Sequence, residues 1–206
     1  MAEQPASQST VDTDEVLDLL RAESALLEGH FLLSSGLRSD RYFQCALALA
    51  NPVAAQKLAE AFAERLSASS IPAPQLVVGP AMGAVVWAQE VARALGLRAF
   101  FTERVDGQFA LRRGFHIEPG TKVLVVEDVV TTGGSAKEVI RLLRELGAQV
   151  VGVGSVVNRS GGQPFEDVEL ELVSLAQVQA RTWGADDVPA EFAGTEPIKP
   201  GSRPGL

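Results

Sequence analysis

Residues 123–135 read Val123-Leu124-Val125-Val126-Glu127-Asp128-Val129-Val130-Thr131-Thr132-Gly133-Gly134-Ser135. Lys122 to Val126 is a short apolar run bounded by turn residues, the pattern of a strand buried on both faces of a parallel sheet. Two acids follow, then a Thr/Gly/Ser loop. Ser135 to Leu146 then reads as a helix with Val139, Leu142, Leu143 and Leu146 inward and Gly147 closing it. Ligands of open α/β sheets bind at the carboxyl ends of the strands, where this loop must lie. Gly133 and Gly134 allow consecutive amides to turn into one hollow, and Thr131, Thr132 and Ser135 add hydroxyls. The helix start contributes unpaired amides and roughly half a positive charge. Together they make a cradle for a phosphate monoester. Glu127 and Asp128 narrow this further. Two carboxylates beside a cradle would repel phosphate alone; they suit a ligand that also carries hydroxyls, a cation or developing positive charge.

Outward from this stretch the chain alternates strand and helix. Leu76 to Val78 is a strand, Gly83 to Leu95 a helix ended by Gly96, and Ala99 to Thr102 a strand. Asp106-Gly107 signals a tight hairpin turn and Pro119-Gly120 a second turn. Val150 to Val157 is a further β-branched strand. Upstream, Asn51-Pro52 starts a helix to about Leu66, a capping side chain followed by a proline that misses no hydrogen bond. Asp14 is expected to cap an earlier helix running to about Glu28 and stopped by Gly29. These short connections imply an α/β fold with a doubly wound, mostly parallel sheet flanked by helices. Residues 1–12 form a polar tail, 13–183 one domain, and 184–206 a Pro/Gly-rich segment that is either disordered or wraps on the domain.

The 206 residues are 46% hydrophobic and 21% charged, with a formal net charge of -8. An acidic chain is ill suited to unspecific nucleic-acid binding, which needs a basic surface. One cysteine, Cys45, excludes an intrachain disulfide and a thiolate metal cluster. The start lacks a secretory pattern, and no apolar run reaches the ~18–20 residues of a membrane span. The expected location is the cytoplasm. Rival phosphate motifs fail: Pro119 occupies the second glycine position of a P-loop beginning at Gly114, and Val157 the third of a dinucleotide fingerprint beginning at Gly152.

The 127–135 run resembles the type I phosphoribosyltransferase motif, in which the loop holds the 5-phosphate of phosphoribosyl pyrophosphate and the acids hold its ribose hydroxyls. Gly29 to Gly36 and Ser39-Asp40-Arg41-Tyr42-Phe43 resemble the amino-terminal hood of the orotate phosphoribosyltransferases within that family. The resemblance implies a small hood subdomain over residues 13–50 and a flexible β-hairpin flap over 102–115. It places glutamates, aspartates and loop residues as follows: Glu127, Asp128, Val129, Val130, Thr131, Thr132, Gly133, Gly134 and Ser135 bind phosphoribosyl pyrophosphate, with Arg104 from the flap. Thr131, Arg159, Tyr42 and Phe43 take orotate, the Arg159 guanidinium pairing with its carboxylate. Asp128, Glu127 and Arg104 carry catalysis. Mg²⁺ arrives with the diphosphate, so no protein metal site is implied. A homodimer is implied, its flap reaching the neighbouring site.

The chain departs from the best-known members in two places. Its flap has no lysine, leaving Arg104, Arg112 and Arg113 as pyrophosphate ligands, and Gly83 stands where the turn after the first sheet strand otherwise carries lysine. The chain resembles a subgroup with an arginine-type flap and a carboxyl-terminal Lys-Pro-Gly-Ser-Arg, here residues 199–203. The expected reaction joins orotate to phosphoribosyl pyrophosphate, giving orotidine 5′-monophosphate. A phosphoribosyltransferase for a purine or other base is the nearer alternative, since it would share the phosphate loop. A non-catalytic phosphoribosyl-pyrophosphate sensor is the further one.

Overall fold

A computed structural model describes residues 12–33 and 35–200. Residues 1–11, Ser34 and the Gly201–Arg203 part of the terminal motif lie outside the described residues. The first helix, α1 (Thr13–Ala22), is capped by Asp12 rather than Asp14. Asp12 accepts from the Glu15 amide at 2.9 Å while Glu15 accepts from the Asp12 amide at 3.1 Å, a reciprocal capping box. The helix also ends earlier than expected. Ser24 takes a left-handed φ of 56°, and β1 (Leu26–Leu32) pairs antiparallel with β2 (Arg38–Phe43). Leu26 and Leu27 suit either a helix face or a half-buried strand, and pairing with Phe43 and Tyr42 decides for the strand.

A short helix α2 (Cys45–Ala50) leads to α3 (Pro52–Ser67), where the Asn51 side chain accepts from the amides of Val53 and Ala54. Beyond it the chain builds β3 (Leu76–Pro80), α4 (Ala84–Leu95), β4 (Arg98–Val105), β5 (Gln108–Leu111), β6 (Lys122–Val130), α5 (Gly134–Glu145), β7 (Gln149–Asn158) and β8 (Leu172–Gln177). These strands form one sheet in the order β5-β4-β3-β6-β7-β8, parallel except for β5 against β4. From central β3 the chain moves to β4 on one side, then crosses to β6 on the other. This reversal places the crevice of a doubly wound sheet beside the ends of β3 and β6.

The β6 side chains alternate between two cores. Val123 and Val125 pack with Ala136, Val139, Ile140 and Leu143 of α5. Leu124 and Val126 pack on the other face with Phe62 of α3 and Trp87 of α4. Gly154 on β7 permits that second layer: a methyl group there would lie 2.3 Å from the Phe62 ring. β6 runs four residues past the expected end at Val126, because Val129 and Val130 continue its pairing with Val157 and Asn158.

β1, β2 and the two-residue β9 (Thr182–Trp183) form a separate small sheet. The segment after β9 wraps onto it. Trp183 stacks on Phe192, His30 lies beside both rings, His30 Nδ1 and Thr195 Oγ1 are 2.8 Å apart, and Ile198 bridges Phe31. This hood is therefore closed by residues from both ends of the chain.

Candidate active site

The extension of β6 sets the geometry of the two acids. Strand alternation carries Glu127 to the α5 face and Asp128 to the α4 face. Glu127 lines a hollow of about 290 Å³ with residues 129–135 and Glu138. Asp128 lies under the turn between β3 and α4: a methyl group on Gly83 would sit 3.1 Å from Asp128 Oδ1. The absence of a side chain at Gly83 thus leaves room directly over this carboxylate.

Among the described residues neither acid forms an ion pair. Burial, with the charge of Asp128 adding to it, pushes the Glu127 carboxyl up to about 8 from an ordinary 4.5. Burial also raises Asp128, opposed by the amides of Val129 and Asp128 itself. Two carboxyls that are costly to ionise, Glu127 lining the hollow and Asp128 beneath the β3–α4 turn beside it, mark a place where a ligand supplies the missing donors or positive charge.

The loop beyond β6 is built to receive an anion. Among the described residues, no protein acceptor takes the amides of Thr131, Thr132 or Gly133. Gly133 has φ 75° and its Cα sits against the Phe165 ring, where a methyl group would approach to 2.8 Å. Phe165 is fully buried, so this contact fixes the loop from below. Nothing in sequence spacing signals Phe165; its role emerges from the β7–β8 connection folding beneath the loop.

Arg159 sits at the next strand end. Its amide donates to Val130 O at 2.7 Å, which places it beside Thr131. Its guanidinium lies 5.6 Å from the centre of the Phe43 ring and donates to Ser39 Oγ at 3.3 Å. Its Nε is buried without a partner, and burial lowers its pKa, with Asp40 opposing the shift. Phe43 and Arg159 are thus brought together. Tyr42, one residue earlier on the strand, points to the opposite face, where its hydroxyl donates to Gln44 and its ring lies beside Phe31.

The β4–β5 hairpin turns at Asp106 and Gly107, both with positive φ. Arg104 packs over Phe109 and makes a two-pronged ion pair with Glu138, at 3.0 and 3.2 Å. Since Glu138 lines the hollow, Arg104 stands at its rim. Arg113 is tied to Glu103, while Arg112 is exposed at the hairpin's end. A larger groove of about 700 Å³ between α1 and α3 contains none of these residues and is rimmed by acids such as Glu15, Asp18 and Glu64. Among the described residues, its lining carries no serine, threonine or tyrosine hydroxyl.

A family model described as phosphoribosyl transferase domain matches residues 48–186. The orotate phosphoribosyltransferase of Carboxydothermus hydrogenoformans is 49% identical over 189 residues, covering 92% of this chain and 97% of that protein. The enzyme of the same name from Rhizorhabdus wittichii is 50% identical over 192 residues, covering 93% and 97%. Among solved structures, orotate phosphoribosyltransferase from Aeropyrum pernix superposes with a TM-score of 0.64 at 27% identity, covering 79% of this chain and 93% of that one.

Proposed function

The chain belongs to the orotate phosphoribosyltransferase family, and from that premise we infer that it transfers the 5-phosphoribosyl group of phosphoribosyl pyrophosphate to orotate, giving orotidine 5′-monophosphate and pyrophosphate in pyrimidine biosynthesis. The observation that carries this reading is the convergence of three groups at adjacent strand ends. They are the open amides of residues 131–133, the unpaired acids Glu127 and Asp128, and the guanidinium of Arg159.

The roles follow from the chemistry of each group. The amides and hydroxyls from Thr131 to Ser135 hold the 5-phosphate, and the backbone of Val129 and Val130 shapes the wall. Glu127 and Asp128 accept hydrogen bonds from the ribose hydroxyls. As carboxylates they also favour the positive charge that grows at the anomeric carbon while pyrophosphate departs. Arg159 takes the orotate carboxylate, Phe43 lies under that pair, and Thr131 sits where the ring would meet the loop. Arg104, the flap cation paired with Glu138 at the rim of the hollow, meets the departing pyrophosphate. No protein nucleophile enters; holding the reactants in line and excluding water account for catalysis.

Mg²⁺ would be carried into the site by the oxygens of phosphoribosyl pyrophosphate rather than held by a protein ligand set. When bound with the diphosphate it neutralises the leaving group. The family membership implies a homodimer, and Met82 and Val86, at the turn over Asp128 and the start of α4, are exposed apolar side chains at 85% and 47%. Among the described residues no helix is long and apolar enough to cross a membrane, which suits work in the cytoplasm.

Incubation with orotate, phosphoribosyl pyrophosphate and Mg²⁺ should yield orotidine monophosphate and pyrophosphate in equal amounts. Asp128→Asn should reduce turnover at least ~100-fold while the protein still folds; unchanged turnover would remove Asp128 from the mechanism.

A further inference from the structure

We propose that Ser39 is a positioning residue for the substrate carboxylate, its hydroxyl holding the Arg159 guanidinium in place beside Phe43. The proposal rests on the reading of Arg159 as the partner of that carboxylate.

Ser39 is fully buried on a strand whose neighbours are Arg38, Asp40 and Arg41. A buried hydroxyl needs partners, and two donors converge on this one. The Arg41 amide donates to Oγ at 3.3 Å, and Arg159 Nη2 donates to it at 3.3 Å from the end of β7. The second contact joins hood to main domain across 120 residues of sequence. It is also the only hydrogen bond that the Arg159 side chain makes among the described residues, and its Nε is buried without an acceptor. An arginine side chain has many rotamers, and ordering it on substrate arrival is costly. A carboxylate further demands that the guanidinium plane be correctly turned, because two parallel hydrogen bonds must form together. Ser39 takes one donor and sets that plane, leaving the remaining donors for the ligand.

The strand carrying Ser39 is itself held from the far side. Ser39 pairs with Thr182 of β9, and the Asp40 carboxylate accepts from both the amide and Nε of Arg181 at 2.9 Å. Arg181 in turn pairs with Glu191 of the terminal segment. The wrap of the chain end thereby fixes the register of the hydroxyl against Arg159 and neutralises Asp40, the acid whose charge Arg159 feels.

Steady-state kinetics of Ser39→Ala should show KM for orotate raised about tenfold, the effect of losing a hydrogen bond to a charged group. KM for phosphoribosyl pyrophosphate and kcat should stay within about twofold, the pattern of lost binding rather than lost chemistry. Ser39→Cys, of similar size with a weaker acceptor, should fall between, and carries the test if the alanine variant folds poorly. In an Arg159→Ala background, adding Ser39→Ala should produce no further loss in kcat/KM, because the hydroxyl acts only through that guanidinium. An unmoved orotate KM, a parallel change in both KM values, or an undiminished loss without Arg159 would each overturn the proposal. Wild-type protein that consumes no orotate would remove the substrate reading instead, which separates the two failures.

Discussion

Replacing Glu127 by glutamine should change how stability responds to pH. In the folded chain this carboxyl is held at about 8, against an ordinary 4.5. The folded state therefore retains a proton that the unfolded chain gives up across that interval. The contribution of Glu127 to stability is full below pH 4.5, declines as pH rises, and is gone above pH 8. At 1.36 kcal/mol per pH unit the loss cannot exceed ~5 kcal/mol. Water entering the open hollow reduces it to roughly 2–3 kcal/mol. For a chain of this size that corresponds to a fall in Tm of roughly 5–10 °C between pH 5 and pH 9. Glutamine is neutral and of the same shape, so the variant should lack this portion of the decline. Calorimetry of both proteins across that range gives the difference directly, and Asp128, present in both, largely cancels. Parallel wild-type and variant Tm curves would refute the assignment of a protonated Glu127. The same proton should leave when phosphoribosyl pyrophosphate and Mg²⁺ bind at pH 7, detectable as a buffer-dependent binding enthalpy.

Other substitutions probe the loop, the flap and the core. Gly133→Ala combines a positive φ with a 2.8 Å approach to the buried Phe165 ring; it should cost ~2–4 kcal/mol and reduce kcat/KM for phosphoribosyl pyrophosphate by at least ~30-fold, measured by denaturation and initial rates. Glu138→Ala releases Arg104 from its ion pair. Exposed pairs contribute less than ~1 kcal/mol, so KM for phosphoribosyl pyrophosphate should fall up to ~5-fold at low salt; a rise would mean that Glu138 assists binding. Gly154→Ala forces a methyl group to 2.3 Å from Phe62 and should destabilise by ~2–4 kcal/mol without altering either KM.

The main sheet was legible because its cues are local. Asn51-Pro52 starts α3 where the capping bonds lie, Gly96 ends α4 with φ 67°, and Asp106-Gly107 turns the flap with φ 50° and 83°. The phosphate loop was legible for the same reason, since strand, acids, glycines and helix follow one another in sequence. The hood was harder. Leu26 and Leu27 match a helix face as well as a strand, and only pairing with Phe43 and Tyr42 settles the matter. The terminal segment has no periodicity, yet Trp183, Phe192 and Thr195 find partners around His30. The contributions of Ser39 and Phe165 depend on contacts between distant parts of the chain, which no spacing rule reveals. Arg104 was recognisable as a flap cation, but its pairing with Glu138 follows from α5 lying beside the hairpin.

The most direct measurement is the loss of orotate ultraviolet absorbance on mixing purified protein with phosphoribosyl pyrophosphate and Mg²⁺, beside parallel reactions with uracil, adenine and hypoxanthine. Consumption of orotate with no nucleotide formed from the other bases is expected, because only orotate brings a carboxylate to Arg159. Nucleotide formation from uracil or a purine at a comparable rate would contradict that role for Arg159, and no reaction with any base would contradict the assignment of the site as catalytic.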